Sequence, residues 1–260
     1  MLMRAITLVL CLAAGAFAEV KMQPIDYQVG NTALRGYLAY DDSAQGKRPG
    51  VVIYPEWWGV TEYPRTRARE LAKLGYVAFV ADIYGKDVTT SDPKEAAKLA
   101  GPFYQDRNLF RERALAGMEE LKLQPQVDPT KIAAIGYCFG GSAALEVARG
   151  GTRFAGLVSF HGGLSTPNPD ADQPITPKIL ICTGADDAFV PMSDVEAFAQ
   201  EMRNAHADYQ INIYANAHHA FTNPDAGKFG IPNIAYNAEA DHRSWEAMKS
   251  FFDEIFGEGK

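Results

Sequence analysis

Between residues 132 and 148 the chain runs from an apolar strand through a glycine-rich turn into a helix. The segment is Ile132-Ala133-Ala134-Ile135-Gly136-Tyr137-Cys138-Phe139-Gly140-Gly141, followed by helix-like Ser142–Ala148. A backbone that reverses so sharply must adopt strained angles at the centre of the turn. Glycines two positions either side of Cys138 remove side chains that would collide there. The turn lifts its central side chain above the strand end, and the next helix points its first N–H groups and its positive dipole at it. A cysteine in that place is suited to nucleophilic attack through its thiolate. A bare Gly-x-Cys-x-Gly also fits a buried structural cysteine, but the strand before it and the helix after it favour the nucleophile. Ser142, the neighbouring hydroxyl, lies a turn too far into the helix and has Ala144 where a glycine would be needed.

Strand-like and helix-like segments alternate along the rest of the chain, the signature of an α/β domain with a mostly parallel sheet. Ile25–Val29 and Leu34–Tyr40 flank a hairpin-like Gly30-Asn31. Val51–Tyr54, Tyr76–Ala81, Ile132–Ile135, Gly156–Phe160, Ile179–Cys182 and Tyr209–Tyr214 follow, making eight strands. The later ones are short apolar runs, as strands covered on both faces should be. Helices are expected at Pro64–Leu74, from Asp92-Pro93, at Arg107–Leu121, after the glycine turn, from Ser193 to about Asn204, and at Ala238–Phe256. Asp92 and Ser193 both read as N-caps. Two long loops rich in Gly and Pro, His161–Pro177 and Thr222–Asn237, are expected to shape a pocket.

The first residues stand apart. Arg4 precedes an apolar run from Ala5 to Ala14, broken only by Thr7, and then Ala16-Phe17-Ala18. This pattern predicts a signal peptide over residues 1–18, cleaved after Ala18, and a domain over residues 19–260 exported to the periplasm or the medium. The run is too short to span a bilayer comfortably. Losing Arg4 moves the net charge from −7 to −8 (24 basic against 32 acidic residues). An acidic chain without basic clusters is a poor partner for nucleic acid or anionic membrane. Its 47% hydrophobic content is enough to build a core without disulfides or metals.

A nucleophile needs a base and an acid, and this fold class supplies them in that chain order from later strand ends. After Ile179–Cys182 come Thr183-Gly184-Ala185-Asp186-Asp187, and after Tyr209–Tyr214 come His218 and His219. An aspartate there can orient a histidine and stabilise its imidazolium. Alone, each could be a turn or surface residue, and the histidine spacing matches no standard zinc motif. Val51–Tyr54 leads into Pro55-Glu56-Trp57-Trp58-Gly59. That loop normally gives one oxyanion N–H and the residue after the nucleophile the other, so the donors fall on Trp57 and Phe139.

Taken together, these motifs resemble the dienelactone hydrolase family over about residues 25 to 257. The resemblance rests on Pro55–Gly59, Asp82-Ile83-Tyr84-Gly85, Gly136–Gly141, Asp187-Ala188-Phe189-Val190-Pro191 and His219-Ala220-Phe221. It implies an α/β-hydrolase fold with a Cys138–Asp187–His219 triad, and neither cofactor nor metal. It also implies that Glu56 holds the resting thiol. Trp58, Tyr84 and Arg111 are the expected substrate contacts. One departure stands out. Members that open dienelactones place an arginine four residues after the histidine, where this chain has Asn223. The expected activity is therefore hydrolysis of a small ester or lactone through an acyl-enzyme, by a monomer or weak dimer. Two other readings compete: an exported, non-catalytic small-ligand-binding protein, and a redox protein using Cys138 and Cys182. With Gly156–Phe160 between their strands, the two sulfurs are not placed for a disulfide.

Overall fold

The structure is a computed structural model that describes residues 19–169 and 173–257. The expected signal peptide at residues 1–18 lies outside the described residues. Eight strands form one sheet: β1 (Val20–Val29), β2 (Thr32–Asp41), β3 (Arg48–Tyr54), β4 (Val77–Val80), β5 (Val127–Tyr137), β6 (Gly156–Phe160), β7 (Lys178–Gly184) and β8 (Tyr209–Tyr214). Their spatial order is β1-β2-β4-β3-β5-β6-β7-β8. β1 and β2 form the antiparallel hairpin about Gly30-Asn31, and β2 meets β4 antiparallel. Every pairing from β4 through to β8 is parallel. The eight-stranded, mostly parallel sheet is the one expected from the segment pattern.

The helices cover both faces of this sheet. α1 (Glu62–Lys73) and α6 (Ala238–Phe256) pack on one face. α2 (Pro93–Gln105), α3 (Arg107–Lys122), α4 (Phe139–Arg149) and α5 (Met192–Asn204) lie on the other. Alternation along the strands divides the core accordingly. Val52, Tyr54, Ala134, Leu157 and Ile181 face the α3/α4 layer, and Val51, Ile53, Ala133, Val158 and Cys182 face the α1/α6 layer. β3, β4 and β6 are buried at every position, which is why, apart from Arg48 and Ser159, they carry no strongly polar side chain.

Helix starts show where local signals hold and where they yield. Asp92 caps α2, its carboxylate accepting from the Lys94 N–H at 2.9 Å. The cap expected at Ser193 is not formed. The chain enters α5 from an extended Pro191 and the helix starts at Met192, which leaves Ser193 inside the first turn. α4 starts at Phe139, earlier than its sequence pattern suggests, because the glycine turn itself winds into the helix. Within the Thr222–Asn237 loop, Ala226–Phe229 form a 3-10 turn.

Backbone contact replaces side-chain packing where α4 leaves β5. A Cβ on Gly136 would fall 2.0 Å from the Gly140 carbonyl oxygen, and one on Gly140 would fall 2.0 Å from the Tyr54 carbonyl oxygen. Neither clash can be relieved by a rotamer change. Gly140→Ala is therefore expected to cost about 3 kcal/mol or more in urea denaturation. Gly227→Ala, in the 3-10 turn with open space around it, should be neutral or stabilising by up to about 1 kcal/mol.

Candidate active site

Cys138 sits at the apex of the turn, with φ 53° and ψ −117°, as the residue that caps α4. This is a strained conformation for a side-chain-bearing residue. Backbone bonds hold it in place. The Cys138 N–H donates to Phe160 O at 3.0 Å, and its carbonyl accepts from Gly141 N at 2.9 Å. The turn is thus tied to the end of β6. Phe139, the first residue of α4, has a first-turn N–H with no intrahelical acceptor. Its ring is buried against Phe110 (4.6 Å, stacked), Tyr84 and Tyr104, and this packing fixes the start of the helix.

His219 follows β8 and reaches both partners. Its Nδ1 lies 2.9 Å from Asp187 Oδ2, and its Nε2 lies 3.0 Å from Cys138 Sγ. The other Asp187 oxygen accepts from the N–H groups of Phe189 (2.8 Å) and Val190 (3.0 Å). The carboxylate is buried but fully hydrogen-bonded, as a buried charge must be. Of the adjacent Asp186/Asp187 and His218/His219 pairs, one member of each turns inward. Asp186 is exposed, and its carbonyl meets His218 Nδ1 at 3.1 Å. Burial opposes a charge on His219, but the Cys138 sulfur and the Asp187 carboxylate more than offset it. The imidazole is raised to about 10. At neutral pH the proton therefore stays on His219, next to the Cys138 sulfur.

Glu56 is buried immediately before Trp57, and its Oε2 accepts from Asn223 Nδ2 at 2.8 Å. Its expected contact with the resting thiol is not made, since Cys138 Sγ is bonded to His219 instead. Burial pushes the Glu56 carboxyl up to about 7, against the opposing effects of the Asn223 bond and the positive charges of His219 and Arg67. Asn223 thus presents a neutral amide to the buried Glu56 carboxyl.

A cavity of about 250 Å³ opens above Cys138 and His219. Its walls are Trp57, Tyr104, Gly163, Phe189, Val190 and Ile234. The three expected substrate contacts are all elsewhere. Trp58 is buried and stacks on Phe229 at 4.1 Å. The Tyr84 hydroxyl donates to the Trp57 carbonyl at 3.0 Å and so braces the loop from behind. Arg111 is bound to the buried Glu146 of α4 at 2.9 Å, because an interior carboxylate on α4 needs a cation more than the pocket does. Phe189 and Val190 belong to the Asp187–Pro191 motif, and Ile234 to a loop expected to shape a pocket. Tyr104, at the end of α2, carried no local signal. Cys138 and Cys182 are both free thiols, with β6 between their strands. Cys182 is buried, and burial pushes its thiol up to about 12, so it is not placed for redox chemistry.

The Glu56 carboxyl couples stability to pH. Its folded value, about 7, lies above the ordinary 4.5. From pH 4.5 upward the unfolded chain loses this proton first, so stability falls until the folded group also ionises. Glu56→Gln keeps an acceptor for Asn223 and has no proton to lose. Its stability relative to the parent should rise between pH 4.5 and about 7, by on the order of 3 kcal/mol. Denaturant melts at pH 4, 6 and 8 measure this, and a pH-independent difference would contradict the buried, late-ionising carboxyl.

Comparison with known proteins agrees with this architecture. Residues 34–256 match the model of the dienelactone hydrolase family. The solved structure of m3DLH is 39% identical, with a TM-score of 0.88, covering 91% of this chain and 98% of that one. A dienelactone hydrolase-like promiscuous phosphotriesterase from metagenomic libraries is also 39% identical, with a TM-score of 0.85, covering 92% and 99%. A probable 2-oxo-3-(5-oxofuran-2-ylidene)propanoate lactonase of Bradyrhizobium is 26% identical over 216 residues, 79% of this chain and 86% of that protein. With the family match spanning the sheet from β2 to the end of α6, the chain belongs to the dienelactone hydrolase family, ester and lactone hydrolases on the α/β-hydrolase fold.

Proposed function

We propose that the protein hydrolyses a small carboxylic ester or lactone through a Cys138–His219–Asp187 triad and an acyl-enzyme. One observation carries this reading. An unbroken line of hydrogen bonds runs from Asp187 through His219 to the Cys138 sulfur, at 2.9 and 3.0 Å, and ends at the floor of a cavity. The thiolate attacks the carbonyl carbon, and the oxygen gains the charge. Backbone N–H groups of Trp57 and Phe139 receive that oxyanion, each worth about 3 kcal/mol in such sites. His219 gives its proton to the departing alkoxide as the C–O bond breaks. It then takes a proton from water, which attacks the thioester and releases the acid and the thiolate. Glu56, beside the oxyanion loop and close to neutrality in its ionisation, modulates the charge of the pair.

The walls of the cavity bring no lysine or arginine, and Asn223 is committed to Glu56. An anionic acyl group would be desolvated there without a partner. The substrate we infer is therefore uncharged. A neutral phosphotriester fits the same thiolate and oxyanion donors, a second reading favoured by the phosphotriesterase relative. We also infer export, on the pattern of residues 1–18. The mature protein recovered from a secreting host should begin at Glu19 by N-terminal sequencing, and an intact Met1 terminus would overturn this.

Cys138→Ala is expected to lower kcat/KM on p-nitrophenyl butyrate about a thousandfold or more. Undiminished turnover would remove Cys138 as the nucleophile. The parent enzyme should prefer the butyrate over the hemisuccinate ester by about tenfold or more. Equal rates would show that a cation outside the cavity wall reaches the acyl group.

A further inference from the structure

A second histidine lies in the interior beside the triad. His161 directly follows β6 and is fully buried. Its ring meets that of His219 edge to face, with centroids 5.3 Å apart and planes at 67°. Its backbone has φ 41°, left-handed for a residue with a side chain. That strain persists only where the surroundings hold it. Here the His161 N–H donates to the Cys182 carbonyl at 2.8 Å, so the residue is tied to the neighbouring strand β7.

Its ring is held by a chain of hydrogen bonds that ends on the loop carrying His219. His161 Nε2 lies 2.8 Å from Thr222 Oγ1, which lies 2.6 Å from the Tyr63 hydroxyl on α1. Arg67 donates to that hydroxyl at 3.3 Å and to the Thr222 carbonyl at 2.8 Å, and it pairs with Asp241 on α6. Thr222 Oγ1 bridges His161 Nε2 and the Tyr63 hydroxyl, which also lies 3.1 Å from the Thr222 carbonyl oxygen. His161 is thus anchored through Nε2 alone, its buried Nδ1 having no hydrogen-bond partner among the described residues. Burial, and the charge on His219, hold it neutral by lowering its basicity well below the ordinary histidine value.

We propose that His161 is a positioning residue for His219. Its uncharged ring, anchored through Thr222, keeps the His219 imidazole in the plane that joins Asp187 to Cys138. Thr222 is three residues beyond His219, across Ala220 with its own left-handed φ of 57°. The anchor therefore restrains the very turn on which the base is mounted. This proposal rests on the reading of Cys138 and His219 as nucleophile and base.

The test uses His161→Asn, because asparagine tolerates the left-handed backbone, and Thr222→Val, which removes the hydroxyl from the other end. kcat and KM are read on p-nitrophenyl butyrate, alkylation of Cys138 by iodoacetamide at pH 7, and folding by thermal melt. Each variant should lose about tenfold to a hundredfold in kcat, with KM within about twofold and alkylation slowed several-fold. The double variant should be no worse than the more damaged single, because both act through one chain. His161→Gln, whose amide can still hydrogen-bond the Thr222 hydroxyl, should recover part of the loss. Folded His161→Asn and Thr222→Val proteins with kcat and alkylation within about twofold of the parent would overturn the proposal. If Cys138→Ala leaves turnover intact, the triad reading fails instead, and the alkylation rates still judge whether His161 positions His219 against the thiol.

Discussion

The structure turns on a backbone contact: the first turn of α4 lies against the ends of β5 and β3 with no room for a Cβ at Gly136 or Gly140. That contact lets the chain leave the sheet at once and forces Cys138 into its left-handed conformation. The strained residue is carried by the buried strands around it, not by its own preferences. Because the turn is closed by backbone atoms, it cannot relax as a side-chain packing could. The sulfur is held at a fixed height above the sheet, and everything else in the site is placed relative to it.

The remaining groups arrive from the same edge of the sheet. Glu56 and Trp57 follow β3, His161 follows β6, Asp187 follows β7 and His219 follows β8. Parallel strands all end on one side, so their following loops converge there, which is where open α/β sheets bind their ligands. Hydrogen bonding then thins outward. Asp187 is held by two backbone N–H groups, His219 by Asp187, Cys138 and its neighbouring rings, and the cavity wall by loops. Phe189, half exposed over His219 at 5.0 Å, is the outermost of these.

Charge is distributed with the same economy. The interior beside the cavity contains several ionisable groups, and each is either paired or kept neutral. Arg149 binds Glu201 at 2.7 Å through both arms, and Arg111 covers Glu146, which joins α3, α4 and α5 behind the turn. His161 stays neutral, and Glu56 is bound only to an amide. The Cys138–His219 contact faces the cavity, with the first turn of α4 directly beside it.

The alternation of segments dictated the eight strands, their parallel character and most of the helices, because each strand and helix had to bury its own apolar pattern whatever its neighbours did. The glycine turn marked Cys138, and the strand ends marked the Asp186/Asp187 and His218/His219 pairs, because a tight turn and a loop after a strand constrain residue type locally; the family resemblance pointed to Asp187 and His219 within them. The cap at Ser193 misled, since Pro191 already set where α5 could start. The substrate wall could not be read in the same way. Trp58, Tyr84 and Arg111 differ from Tyr104, Phe189 and Ile234 only in which way they point once the sheet is assembled. So too with His161 and Asn223, whose partners Thr222 and Glu56 are 61 and 167 residues away. Local chemistry in the chain determined which residues could react. The tertiary structure decided which of them meet, because those distances are closed only by packing the strands side by side.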